Sequence, residues 1–135
     1  MSSVVSPIKP VPTDRSEPRV NIIEKTDEEI LVMANSLWRS LLTYSNEGKY
    51  GEFVKNFCNA LALAMNFVVA GHQFANSELA RSLSEDFDSL GIIRRGEHVT
   101  VLYRQRSTKK QGEWLGRLVL GYEDAELKIF GASIF

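Results

Sequence analysis

The hydrophobic period of this chain changes once, and that change constrains the fold more than any other feature. Up to about residue 90, apolar residues recur at i, i+3, i+4 and i+7, the spacing of helices with one buried face. Beyond it they alternate with polar ones, as strands with one buried face require. Three alternating runs, 98–106 (HVTVLYRQR), 113–122 (EWLGRLVLGY) and 126–135 (ELKIFGASIF), are separated only by residues 107–112 and 123–125. A parallel crossover needs about a dozen residues or more, so connections this short join antiparallel neighbours. The spacing predicts an antiparallel meander, with Ile92-Ile93-Arg94-Arg95 available as a fourth strand turning at Gly96. Gly116, Gly121 and Gly131 fall inside the strands, where glycine marks bulges and bends.

The first two-thirds reads as three helices. Thr26-Asp27-Glu28-Glu29 has the form of a capping box, and Ile30, Ala34, Leu37, Leu41 and Tyr44 follow at helical spacing, widened by Leu31, Trp38 and Leu42. Asn46-Glu47-Gly48 ends that helix. A second is expected from Lys49 on, through Tyr50, Phe53, Val54, Phe57, Leu61, Met65 and Val68; residues 65–70 read equally as its end or as a short strand. Asn76 or Ser77 would cap a third helix carrying Leu79, Leu83, Phe87 and Leu90 on one face, terminated by Gly91. The expected fold is α+β: three N-terminal helices packed on a bent three- or four-stranded antiparallel meander. Trp38, Leu41, Phe53, Phe57, Leu61, Phe87, Leu118 and Ile129 are its expected core.

A chain of 135 residues fits one domain. All four prolines lie among the first eighteen residues, with too little apolar surface nearby to offset chain ordering. Residues 1–24 therefore read as a disordered tail and 25–135 as the domain, although Val20, Ile22 and Ile23 can lie down as an edge strand. The formal charge of −1 argues against a dedicated nucleic-acid surface. Cys58 is the only cysteine, which excludes an intramolecular disulfide and a cysteine-based zinc site. The N-terminus has no secretory pattern, and the most apolar stretch, 60–70, is half of what spans a bilayer, so a cytoplasmic location is expected. Phosphate-loop, H-E-x-x-H and G-x-S-x-G motifs are absent, and neither cofactor nor metal is expected.

Candidates for chemistry are few. His72 and His98 are the only imidazoles, and each reads more simply as a surface or satisfied core residue than as a general base. Asp86 and Asp88 stand at i, i+2, which on a helix points them apart and makes no acid/base dyad. Cys58 sits among apolar neighbours and reads as a small hydrophobe. Arg94, Arg95, Arg104, Arg106, Lys109, Lys110 and Arg117 concentrate near the first strands. Arg104, Arg106 and Arg117 can share a sheet face as an anion-binding set, with Tyr103 and Trp114 as stacking partners for single-stranded nucleic acid. Protection of an exposed strand edge by basic residues is the plainer reading. Trp38, Tyr44, Tyr103, Trp114 and Tyr122 are the aromatics expected to line a ligand pocket if there is one.

Leu37-Trp38-Arg39-Ser40-Leu41-Leu42 followed by Asn46-Glu47-Gly48-Lys49-Tyr50-Gly51-Glu52-Phe53, and the closing Lys128-Ile129-Phe130-Gly131-Ala132-Ser133-Ile134, resemble the opening and final strands of the nuclear-transport-factor-2-like superfamily, the cystatin-like cone. The resemblance implies a bent sheet wrapping helices around a pocket, often with dimerisation through the sheet. It implies no particular reaction. A winged-helix reading of 78–95 meets three long strands where a wing has two.

The leading expectation is a non-catalytic ligand-binding or protein-assembly domain. The rival is a small-pocket isomerase or dehydratase, with Asp88 or His72 as base and Tyr103 as donor; a nucleic-acid-binding module comes third. A homodimer is also expected. Val99, Val101 and Tyr103 point to the helices, whereas Leu102, Leu115, Val119, Phe130 and Ile134 point away and need cover.

Overall fold

A computed structural model describes residues 21–64 and 77–135. Its one long helix, α1 (Asp27–Glu47), begins at the expected capping box: the Glu29 amide donates to Thr26 Oγ1 at 3.1 Å and the Thr26 amide to Glu29 Oε1 at 2.9 Å. It ends at Gly48, whose φ of 71° is left-handed. The α1 stripe of Ile30, Ala34, Trp38, Leu41, Leu42 and Ser45 is buried. Residues 21–24, read from sequence as the end of the tail, form a 3-10 turn (Ile22–Glu24) that buries Ile22 completely. Arg94 holds this turn in place, donating to the carbonyls of Ile23 and Lys25 and to Asp27 Oδ1.

The second helix of the sequence reading is broken. A single turn, α2 (Tyr50–Phe53), is followed by an extended step and then α3 (Asn59–Ala64). The step is drawn out because Ile129, on a strand edge, donates to the Asn56 carbonyl at 2.7 Å and accepts from the Cys58 amide at 2.8 Å. Phe53 and Phe57 still turn to the same side, edge to face at 5.6 Å, so apolar spacing alone cannot reveal the break. Residues 65–70 and His72 lie outside the described residues.

The third helix is corrected outright. After one 3-10 turn (Leu79–Arg81) the chain runs extended, and β1 (Asp88–Arg95) begins within the last residues read as helix. Leu83 bridges Ser107, and Asn46 acts as a substitute neighbour on the other side: its amide donates to the Leu83 carbonyl at 2.8 Å and its Oδ1 accepts from the Leu83 amide at 2.7 Å. These long-range bonds satisfy the backbone that a helix would have satisfied locally, so weak helical preference is overridden.

The four strands β1, β2 (His98–Gln105), β3 (Trp114–Glu123) and β4 (Glu126–Ile134) form an antiparallel meander in sequence order. Asp124 and Ala125, both at positive φ, make the two-residue turn into β4. The inner face, toward α1, carries Val99, Val101, Tyr103 and Gln105 of β2, Gly116, Leu118 and Leu120 of β3, and Ile129 of β4. A bulge then shifts the register. Val119 faces Gly131 and Leu120 faces Ile129, leaving Phe130 as the extra residue. Beyond it, alternation along β4 is reversed: Ile134 lies opposite Gly116 and packs against the core. The expected outward orientation of Ile134 is thereby corrected.

The fold is thus α+β around one long helix rather than three. Of the expected core, Trp38, Leu41, Phe57, Leu118 and Ile129 are buried, while Phe53, Leu61 and Phe87 pack against it partly buried. Among the described residues no helix is long and apolar enough to cross a membrane.

Candidate functional site

The inner face brings two of the aromatic candidates together. Trp38 stacks on Tyr103 with ring centroids 4.8 Å apart, and Phe87 meets Tyr103 edge-on at 5.3 Å. The Arg39 guanidinium lies over Phe87 at 5.1 Å. The indole, amide and phenol at its centre are each hydrogen-bonded. Trp38 Nε1 donates to Gln105 Oε1 at 2.9 Å, Gln105 Nε2 donates to the carbonyls of Ser84 and Arg106, and Tyr103 donates to Asn35 Oδ1 at 2.8 Å. Burial pushes the Tyr103 phenol well above its ordinary range, so it stays protonated as the donor. The sequence reading missed Gln105. Its signal was parity: it is the one polar residue in the inward series 99, 101, 103, 105.

The other ligand-binding candidates are elsewhere. Tyr44 accepts a hydrogen bond from Lys55 at 3.4 Å and borders an open groove of about 230 Å³ on α1 with Ser36, Arg39, Ser40 and Thr43. Trp114 and Tyr122 are half-buried near the two ends of β3. The structure therefore brings together Trp38 and Tyr103 but not the full set.

The anion-binding candidates occupy the outer face, away from α1. Arg106 donates to Asp88 Oδ2 at 2.8 Å, and Arg104 lies 3.5 Å from the same oxygen and 3.4 Å from Glu113. Asp86 and Glu113 stand 3.9 Å from Arg106. The hydrogen bond from Arg106 is the main reason that the Asp88 carboxyl is held below the usual carboxylate range. Arg117 is separate from this group, with Nε donating to Ser133 Oγ at 3.3 Å. Both clustered arginines thus already face carboxylates.

The proposed base and donor of an isomerase also part company here. Tyr103 is fully buried on the inner face, whereas Asp88 pairs with Arg104 across β1 and β2 on the outer face and is half exposed. His98 packs edge-on to Phe130 at 4.5 Å, also on the outer face, and Cys58 is buried. Among the described residues no three histidine, cysteine or carboxylate side chains gather as metal ligands.

What remains conspicuous on the outer face is apolar. Cross-strand register aligns Ile93, Thr100 and Val119 in one row and places Leu102 in the next. Leu115 lies opposite Phe135, and Phe130 bulges out beside His98. Ile93, Leu115 and Phe135 are 51%, 40% and 68% exposed, and Leu102, Val119 and Phe130 are partly so.

No protein-family model, curated protein or solved structure matches this chain.

Proposed function

We propose that this chain is a non-catalytic assembly domain whose working surface is the outer face of the meander. The observation that carries the reading is the run of Ile93, Leu102, Leu115, Val119, Phe130 and Phe135 on one continuous face, opposite the face that α1 covers. A soluble chain tolerates scattered exposed apolar residues, but a contiguous patch on a sheet marks a surface that is covered in use. The inner face supports the same conclusion. Its aromatics fill the space beneath α1, and the hydrogen bonds of Trp38, Tyr103 and Gln105 are all spent within the protein. A small-pocket enzyme with Asp88 as base and Tyr103 as donor would need both on one side of the sheet.

The nuclear-transport-factor-2-like resemblance agrees with this reading, since it implies helices on one face of a curved meander and pairing through the other. The bulge at Phe130, and Gly121 beneath His98 and Phe130, supply places where such a sheet bends.

Side-chain labelling of the full chain by hydroxyl radicals tests the proposal. Leu102, Leu115, Val119, Phe130 and Phe135 are expected to be protected well beyond their exposure in the isolated chain. Labelling of all five at the rate of their bare exposure, at every protein concentration, would end it.

A further inference from the structure

We infer that the groove on α1 is a binding site for a small phosphate monoester, held by Arg39, Ser36 and Ser40 with its organic part against Tyr44. The groove, of about 230 Å³, is lined by these residues and Thr43. Helical spacing puts it on the side of α1 turned from the sheet, since Ala34, Trp38, Leu41 and Leu42 bury the opposite stripe. The outer face of the meander takes no part in it, so the site stands independently of the assembly reading.

Arg39 supplies the charge. Among the described residues its side chain has no hydrogen bond or ion pair, and its guanidinium is held over the ring of Phe87 at 5.1 Å. Phe87 is itself fixed edge-on to Tyr103. Stacking occupies the flat face of a guanidinium and leaves its edge of N–H donors for a ligand. Arg94, Arg104 and Arg106 differ, because each already faces a carboxylate. The next carboxylates along the chain from Arg39 are committed elsewhere: Glu47 pairs with Lys49 and Glu52 with Lys55, each at 3.2 Å. Residues 65–76 contain no Asp or Glu. The site is therefore one for an anion.

The hydroxyls decide which anion. Ser36 and Ser40 stand one helical turn apart, about 5–6 Å between Cβ atoms, and neither hydroxyl has a partner among the described residues. A carboxylate docked on the guanidinium edge lies in its plane and leaves these donors unused. A tetrahedral phosphate carries a further oxygen out of that plane, and hydrogen bonds of about 2.7 Å on either side of it span the gap between the serines. Thr43 adds no donor, since its hydroxyl donates to the Arg39 carbonyl at 3.1 Å.

Tyr44 borders the rest of the groove. Lys55, which does not line it, lies over the Tyr44 ring at 5.2 Å and donates to its hydroxyl at 3.4 Å, so the groove side of the ring is uncovered. The space of about 230 Å³ holds roughly seven waters at ~30 Å³ each, more than a phosphate group fills, yet lies below the ~300–1,000 Å³ that encloses a drug-sized ligand. A small monoester matches it. In an open groove both charges stay partly hydrated, so Kd is on the order of 1 mM.

Amide chemical-shift titration of the full chain at constant ionic strength tests the inference, with inorganic phosphate, phenyl phosphate and acetate as probes. Phenyl phosphate is expected to saturate the shifts of Ser36, Arg39, Ser40 and Tyr44 with a Kd on the order of 1 mM, about threefold tighter than inorganic phosphate and about tenfold tighter than acetate. Arg39→Gln, checked for native shifts away from α1, is expected to abolish saturation up to about 20 mM. Arg39→Lys keeps the charge without the fork and should bind about fivefold more weakly, and Ser40→Ala about threefold. Shifts that grow linearly to about 20 mM in the wild-type chain overturn the inference. So do saturating shifts centred on Arg95, Lys109 and Lys110, or binding that survives Arg39→Gln unchanged. Inorganic phosphate binding as tightly as phenyl phosphate overturns the assignment of a monoester. Hydroxyl-radical labelling of the outer face reads the assembly proposal alone, so each can fail without the other.

Discussion

Trp38 of α1 lies in the space that a side chain at Gly116 of β3 would fill: a Cβ built there falls 2.5 Å from Trp38 Cζ2 and 2.9 Å from Cη2. The ring cannot retreat, because it is stacked on Tyr103 and tied through Nε1 to Gln105. Gly116→Ala is therefore expected to overpack the helix–sheet contact and cost about 1–3 kcal/mol. Gly91 is the internal control, since a Cβ there meets nothing within 4 Å. Urea unfolding of the two variants should separate them clearly; equal midpoints would mean that α1 is not held this close.

Ala125 has the opposite problem. It sits at φ 66° beside Asp124 at φ 54°, in a turn where both central residues need left-handed backbone. A non-glycine residue there is strained by roughly 1–2 kcal/mol, and glycine returns part of that gain through its freer unfolded chain. Ala125→Gly is expected to stabilise the protein by about 0.5–1 kcal/mol net. A lower unfolding midpoint in that variant would show that the turn is not left-handed at this residue.

The Asp88 carboxyl gives the pH dependence a defined sign. Hydrogen bonding from Arg106 lowers its folded pKa below the ordinary 3.8. Its contribution is then present above that ordinary value and is lost as pH falls through the folded one. Asp88→Asn should melt below wild type at neutral pH, and the gap should close at an acid pH below the ordinary 3.8. A gap that stays constant down to that pH would assign the effect to packing rather than to ionisation.

The strands were legible because one-sided burial writes itself as alternation: Val99, Val101 and Tyr103 are fully buried, and they are the residues whose parity points inward. The capping box at Thr26 and the turn at Gly96 were legible because both are local chemistry. The third expected helix was not, because what extends residues 82–88 is remote in sequence. Asn46 and the 106–108 backbone bind that segment as neighbouring strands would. Ile134 was misplaced for a similar reason: a single bulge at Phe130 reverses the parity of everything after it, and no residue type announces a bulge with certainty. The candidate site suffered most. Asp88 and Tyr103 look like a base and a donor in the sequence, and only strand parity after pairing shows that the sheet stands between them.

Gln105 provides the most stringent check on the inner face. It is fully buried, and it serves three groups at once: it accepts from Trp38 Nε1 and donates to the carbonyls of Ser84 and Arg106. Gln105→Leu keeps the approximate volume but strands an indole N–H and removes a donor from two carbonyls. A buried group left unpaired costs about 1–3 kcal/mol, so the variant should lose at least that much. Trp38→Phe removes the indole donor from the other side. If the two groups act through their shared bond, the double variant should be less destabilised than the sum of the singles, because the stranded N–H no longer exists. It should not return to wild type, since the Ser84 carbonyl still lacks its side-chain donor and the Arg106 carbonyl keeps only the Ser84 amide. Strict additivity in urea unfolding would show that Trp38 and Gln105 do not bond, and that the inner face is held by stacking alone.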